Sequence, residues 1–142
     1  MANGGIFSIW WRRRRDSIDV ARAALDSLNA RDWDGFRDTV DERLIYIDSF
    51  EQRIEGREAF IDAFRQFAKA TPGLRAETDT YSHGSDSILV RGTLLADDPD
   101  FRSDTLWQVE VRDGRMTRLH AFRRNEGDVP LVRLHREGKA TA

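Results

Sequence analysis

Residues 103–123 read SDTLWQVEVRDGRMTRLHAFR, and the Asp113-Gly114 pair at the centre decides the fold. A two-residue hairpin turn holds both central residues at positive φ, a conformation that glycine takes freely and aspartate more readily than most. On its N-terminal side Thr105, Trp107, Val109 and Val111 share one face of a strand, and Leu106, Gln108 and Glu110 share the other. On its C-terminal side Thr117, Leu119, Ala121 and Arg123 share the expected concave face, leaving Met116, Arg118, His120 and Phe122 outside. A slip of one residue exchanges the last two sets. The stretch is therefore an antiparallel hairpin whose two strands, 103–112 and 115–123, each turn an apolar row inward.

Two more strands precede the hairpin, at 74–82 and 87–95, joined by the turn residues His83-Gly84-Ser85-Asp86 and followed by the linker 96–100. Connections this short demand antiparallel neighbours, because a parallel crossover needs about a dozen residues. Further upstream the periodicity changes. Val20, Ala21, Ala24, Leu25 and Leu28 recur three and four apart, predicting a first helix from Asp16 or Ser17 as N-cap. Asn29-Ala30-Arg31-Asp32 interrupts it, and Asp32 caps a short second helix that sets Trp33, Phe36 and Val40 on one side. Leu44, Ile45, Tyr46 and Ile47 form a strand ending near Asp48 and Ser49. Gly56-Arg57-Glu58 opens a third helix carrying the stripe Phe60, Phe64 and Phe67, stopped by Pro72-Gly73. The order helix, helix, strand, helix, four strands is α+β, with the helices covering one face of a curved antiparallel or mixed sheet.

The chain has 142 residues, the size of a single domain with one core. It divides into an extension, 1–15, a folded domain, 16–124, and a charged tail, 125–142. Charged residues make up 34%, yet the formal net charge is only −2 with both signs interspersed, so no global field favours nucleic acid. Lysine occurs only at Lys69 and Lys139, and 21 of the 23 basic residues are arginine. Without cysteine there are no disulfides, thiolate nucleophiles or zinc ribbons, which fits a cytoplasmic protein. His83, His120 and His135 are far apart, so no metal site is expected. No stretch reaches the roughly 18–20 apolar residues of a membrane span. One segment stands apart: Ile6, Phe7, Ile9, Trp10 and Trp11 beside Arg12–Arg15 either pack on the domain or a second copy, or meet a membrane interface or the phosphates of a nucleic acid. No Walker loop, nucleotide-binding glycine motif or nucleophile elbow is present, so any chemistry is expected to need no cofactor.

The element order, with Asn29-Ala30-Arg31-Asp32 after the first helix, Ile54-Glu55-Gly56-Arg57-Glu58 before the third and Val111-Arg112-Asp113-Gly114-Arg115-Met116 at the last hairpin, resembles the nuclear transport factor 2-like superfamily, in particular its SnoaL-like branch. The resemblance covers residues 16–124. It implies a cone-shaped sheet around a small-molecule pocket, with pairing of two subunits through the outer sheet face as a common arrangement. Its activities scatter over ketosteroid isomerases, polyketide cyclases, dehydratases and epoxide hydrolases, alongside non-catalytic binding modules.

The resemblance also points to residues. Ketosteroid isomerases carry their general base as an aspartate at the end of the first strand, where Asp48 stands, although the loop to Gly56 is one residue shorter. A carboxylate in an apolar cone is harder to ionise and so can exchange protons near neutral pH. Asp48 with Ser49 is equally a strand-end turn pair that caps backbone amides. Tyr46, on the same face, either donates to a carbonyl oxygen or lines the wall. The isomerases' second aspartate, which holds the oxyanion, is replaced by Trp107, so steroid isomerase activity is not carried over. Trp107 either stacks on a flat ligand or fills core. Arg123 either holds an anion or pairs with Asp48 at the mouth, or sits on a solvated rim. Trp33, Phe64 and Thr105 complete the expected ligand-contacting set. The ligand implied is a small apolar or carbonyl-containing molecule, with either proton-transfer chemistry beside the carbonyl or plain binding.

Overall fold

A computed structural model describes the backbone of residues 5–124 and the side chains of residues 17–124. The elements run α1 (Gly5–Ala30), α2 (Trp33–Thr39), β1 (Val40–Ile47), β2 (Arg53–Glu55), α3 (Arg57–Ala70), β3 (Arg75–His83), β4 (Ile88–Leu95), a 3-10 turn (Pro99–Phe101), β5 (Ser103–Arg112) and β6 (Arg115–Arg123). They form one six-stranded sheet ordered β2-β1-β6-β5-β4-β3. β1 runs parallel to β6, and every other pairing is antiparallel. Three helices beside a mixed sheet make the fold α+β, with β3 to β6 as the expected meander.

Local chemistry explains most boundaries. The Asp113-Gly114 turn holds both residues at positive φ, 52° and 76°. Asp32 caps α2 by accepting from the Gly35 amide at 3.0 Å. Gly56 opens α3 at φ 103° and donates its amide to the Leu44 carbonyl at 2.7 Å, fixing the helix start to β1.

Four expectations are corrected. The first helix starts at Gly5, so Asp16 and Ser17 lie inside it instead of capping it; residues 6–16 hold no glycine or proline, and arginine is a good helix former. Val40 is not on a helix face but begins β1. A sixth strand, β2, lies in what read as a loop. Three residues carry no period; pairing of Ile45 with Glu55, Tyr46 with Ile54 and Ile47 with Arg53 defines it. Met116, expected outside, is fully buried, because a register irregularity between Glu110 and Val111 shifts the face it presents. The aromatic and arginine side chains of residues 6–15 and the tail 125–142 lie outside the described residues.

The core sits between the helices and the sheet. Ala21, Ala24, Leu25 and Leu28 of α1 and Phe60, Ile61, Ala63 and Phe67 of α3 meet Leu44, Val90, Val109, Met116 and Leu119. Each large side chain buried this way contributes about 1.5–3 kcal/mol. The meander bends at an irregularity in β3 between Thr78 and Thr80, opposite Gly92 of β4. A Cβ on Gly92 would run into the backbone carbonyl of Glu77, so this close strand approach needs glycine.

Candidate functional site

Side chains from the helices and the sheet enclose a small cavity of about 60 Å³ between α1, α3 and the concave sheet face. The space is that of a few waters. Most of its wall is apolar. α3 contributes Phe60, Phe64 and Phe67, α1 contributes Leu25 and Leu28, and β5 and β6 contribute Trp107, Leu119 and Ala121. Four polar residues also reach it: Asn29, Tyr46, Thr105 and Arg123.

Tyr46 projects inward because the alternation of β1 puts it beside Leu44 on the core face. Its ring lies 5.2 Å from that of Phe60. Burial first, and then the negative charge of Asp48, push its phenol above the ordinary tyrosine range, while Arg123 pulls the other way. Tyr46 therefore stays a protonated hydroxyl, able to donate a hydrogen bond at any physiological pH. Thr105, buried on β5, bonds to the Ser103 carbonyl at 3.2 Å, and its hydroxyl lies 3.3 Å from that of Ser103.

Arg123 reaches the same end of the cavity from β6. Its Nε donates to the Ser103 hydroxyl at 2.8 Å, and Nη2 to the Phe101 carbonyl at 3.4 Å. Burial makes its charged form harder to keep than that of an ordinary arginine, partly offset by Tyr46. Its main chain is held as well: the Arg123 amide donates to the Ser49 hydroxyl at 2.6 Å, and that hydroxyl donates to the Ala121 carbonyl at 3.2 Å. Ser49 thus ties the end of β1 to β6.

Asp48 is completely buried but is not part of the cavity wall. One carboxylate oxygen, Oδ1, accepts from the backbone amides of Phe50 and Gln52 at 2.8 and 2.9 Å, closing the turn between β1 and β2. The other, Oδ2, is buried with no hydrogen-bond partner among the described residues. Trp33 also stands outside the wall. It packs edge-on against Phe64 with ring centres 6.2 Å apart, and the Arg65 guanidinium lies 5.8 Å from its ring. Of the seven residues singled out from the sequence, the cavity therefore gathers Tyr46, Phe64, Thr105, Trp107 and Arg123, with Trp33 and Asp48 one layer behind.

Two residues at this end escaped sequence reasoning. Ser103 anchors the Arg123 guanidinium, and its signal was strand parity, since it stands two positions before Thr105 and so on the same face. Asn29 read as punctuation after α1, yet its side chain borders the cavity while bonding both ways to the Ala76 backbone.

Among the described residues no three histidine, aspartate or glutamate side chains gather to hold a metal ion. No helix there is long and apolar enough to cross a membrane.

A sheet bent around such a hollow, with three helices closing it, is the cone fold of the nuclear transport factor 2-like proteins. The SnoaL-like domain model matches residues 21–119, and the chain belongs to that family. Solved structures agree on the architecture. A protein from Kribbella flavida provisionally named a ketosteroid isomerase superposes with a TM-score of 0.70 at 22% identity, covering 82% of this chain and 83% of that one. A provisionally named polyketide cyclase from Sinorhizobium meliloti gives 0.65 at 22% identity, over 72% and 93%. TerC, co-crystallised with polyporic acid, gives 0.63 at 17% identity, over 75% and 89%. At these identities the likeness is one of fold. No curated protein matches the chain.

Proposed function

We propose that this protein binds a small carbonyl-bearing molecule in its cone. The observation that carries the reading is a cavity apolar on most sides with a protonated phenol and a guanidinium at one end, Tyr46 and Arg123. Such a site holds a hydrophobic body and fixes one oxygen. Trp107 and Phe64 offer flat surfaces for a ring, and the co-crystal of TerC with polyporic acid supports a small-molecule occupant of this fold. The space of about 60 Å³ is too small for a ring-sized ligand, which would have to displace Phe64, backed by Trp33. A panel of small aromatic ketones, followed by chemical shifts of Tyr46 and Trp107, tests this. Binding with shifts centred on those residues supports the proposal, and a panel that leaves them unmoved rejects it.

The buried, partnerless Oδ2 of Asp48 favours a second, catalytic reading: cofactor-free proton transfer beside the carbonyl, as in isomerisation, cyclisation or dehydration. Asp48 stands one layer behind the wall, so it would act as general base on a ligand that reaches past Tyr46, whose hydroxyl donates to the carbonyl oxygen. In a substrate found by the binding panel, Asp48→Asn would abolish turnover with the fold retained. Equal turnover in that variant removes Asp48 from the mechanism.

The outer sheet face gives a proposal for assembly. Phe122 is exposed, stacked on His120 with ring centres 4.0 Å apart, and paired in register with Leu106, while Gln108 and Glu110 continue the row. We infer that a second copy covers this apolar centre, whose flanking Glu110 and Arg118 supply both signs for a two-fold pairing. Sedimentation equilibrium of the native chain and Phe122→Glu would give a dimer and a monomer, respectively; a native monomer rules the pairing out.

A further inference from the structure

We propose that the polar end of the cavity receives the carboxylate of a small monocarboxylic acid, with Arg123 as its counter-ion. The inference rests on the pocket reading above and narrows its ligand class from carbonyl compounds to acids.

Arg123 is the arginine of the cavity wall. Arg22, Arg37, Arg57, Arg75, Arg118 and Arg124 each lie within 4.0 Å of an aspartate or glutamate oxygen, and Arg123 has no such partner among the described residues. It is also drawn inward, with only neutral oxygens from Ser103 and Phe101 on its guanidinium. A guanidinium carries five N–H donors in a planar fork. Two are used here, and the remainder are left for an acceptor that can take them in parallel, which is the geometry of a carboxylate. A charge drawn partly out of water without an opposite charge is unfavourable, and an anion arriving with its own hydrophobic body relieves that condition.

The nearest internal carboxylate does not fill the role. Asp48 spends Oδ1 on the turn amides of Phe50 and Gln52, and its charge does not figure among the influences on Arg123, which are burial and Tyr46. The surroundings complete a recognition site for an acid. The Tyr46 hydroxyl stands on the same wall as a donor, while Phe60, Phe67 and Leu119 leave an apolar path for the rest of the ligand. A second charge on the ligand would have nothing to meet there, which selects monoacids.

The test pairs each acid with its neutral amide: butyrate with butyramide, and benzoate with benzamide, titrated into the full-length protein by calorimetry and protein-observed NMR. At least one acid should bind roughly tenfold or more tightly than its amide, the size of a charge-assisted hydrogen-bonded pair. Arg123→Met should remove that preference, bringing the acid and amide affinities to within about twofold of each other, and Arg123→Lys should keep part of it, since a point charge replaces a fork. Equal affinities for acid and amide in the native protein overturn the assignment while leaving the pocket reading intact. Undiminished acid binding in Arg123→Met does the same. Failure of all four compounds to bind removes both.

Discussion

Asp48 and Gln52 are joined twice: the Gln52 amide donates to Asp48 Oδ1 at 2.9 Å, and the Asp48 amide donates to the Gln52 carbonyl at 3.0 Å. Together with the Phe50 amide on the same oxygen, this closes the turn that brings β2 back onto β1 and aligns Tyr46 with Ile54. The carboxylate is thus a structural cap whatever else it does. Asp48→Ala would strip acceptors from two backbone amides in a buried setting and lower stability by about 2–4 kcal/mol. Asp48→Asn keeps a carbonyl oxygen in the place of Oδ1 and should lose about 1 kcal/mol or less. Urea denaturation of both variants measures the difference, and two equal losses would show that the cap is not what Asp48 contributes.

His120 predicts an acid-sensitive outer face. Burial first, then the positive charge of Arg118, hold its imidazole below the ordinary histidine value of 6.5, outweighing the Asp48 carbonyl and the negative charges of Glu51 and Asp48 that act in the opposite sense. Its Nε2 is buried without a partner among the described residues. The folded chain therefore binds this proton less readily than the unfolded chain. The stability tied to the neutral ring is complete above 6.5 and is lost as the pH falls through that value toward the lower folded one. Replacing His120 by Gln should flatten the decline in urea midpoint between about pH 7.5 and about pH 5 relative to the native protein. An unchanged slope would assign the acid sensitivity to other groups.

At Gly92 the backbone of β3 lies where a side chain of β4 would stand. A methyl group there meets the Glu77 carbonyl and lies 2.9 Å from the Thr78 Cα, backbone atoms that no side-chain rotation can move. Gly92→Ala should destabilise the domain by roughly 1–3 kcal/mol, as overpacking does elsewhere. It should also open the bend that brings β3 over the cavity. Differential scanning calorimetry would register the first effect, and backbone chemical-shift changes spreading from β3 toward Asn29 the second. An alanine variant as stable as the native chain would mean that the strands part freely at this point.

These residues mark what the sequence carried and what it did not. The Asp113-Gly114 turn and the alternation on either side of it placed β5 and β6 at their observed bounds, because turn chemistry and a period of two are local properties. β2 was illegible, since a three-residue strand has no period and exists only through its partner. At the site, parity brought out Tyr46, Thr105, Trp107 and Arg123, all of which border the cavity. Both readings of Asp48 were visible from its position, but the choice of amides by Oδ1 depends on the path of the turn beyond it. Met116 went to the wrong face because a bulge adds a residue to one strand without leaving a composition signal.

Asn29 gives the most demanding test of how α1 is tied to the sheet. Its side chain accepts from the Ala76 amide at 2.9 Å and donates to the Ala76 carbonyl at 2.8 Å, the pair of bonds a neighbouring strand would make. β3 is an edge strand, so nothing else in the sheet covers that side of it. Two residues on, Arg31 stands at a positive φ of 58° and donates to the Leu28 and Leu74 carbonyls, holding the same corner from below. Asn29→Ala leaves both Ala76 groups half-buried and unpaired, a loss of about 2–3 kcal/mol. Asn29→Asp separates the two bonds: it keeps the acceptor for the amide and sets a second oxygen against the carbonyl, so it should be no more stable than alanine. Amide exchange at Ala76 would report the broken latch directly, rising in both variants if the carboxamide holds the edge. Slow exchange at Ala76 in the alanine variant would mean that Arg31 alone closes the corner.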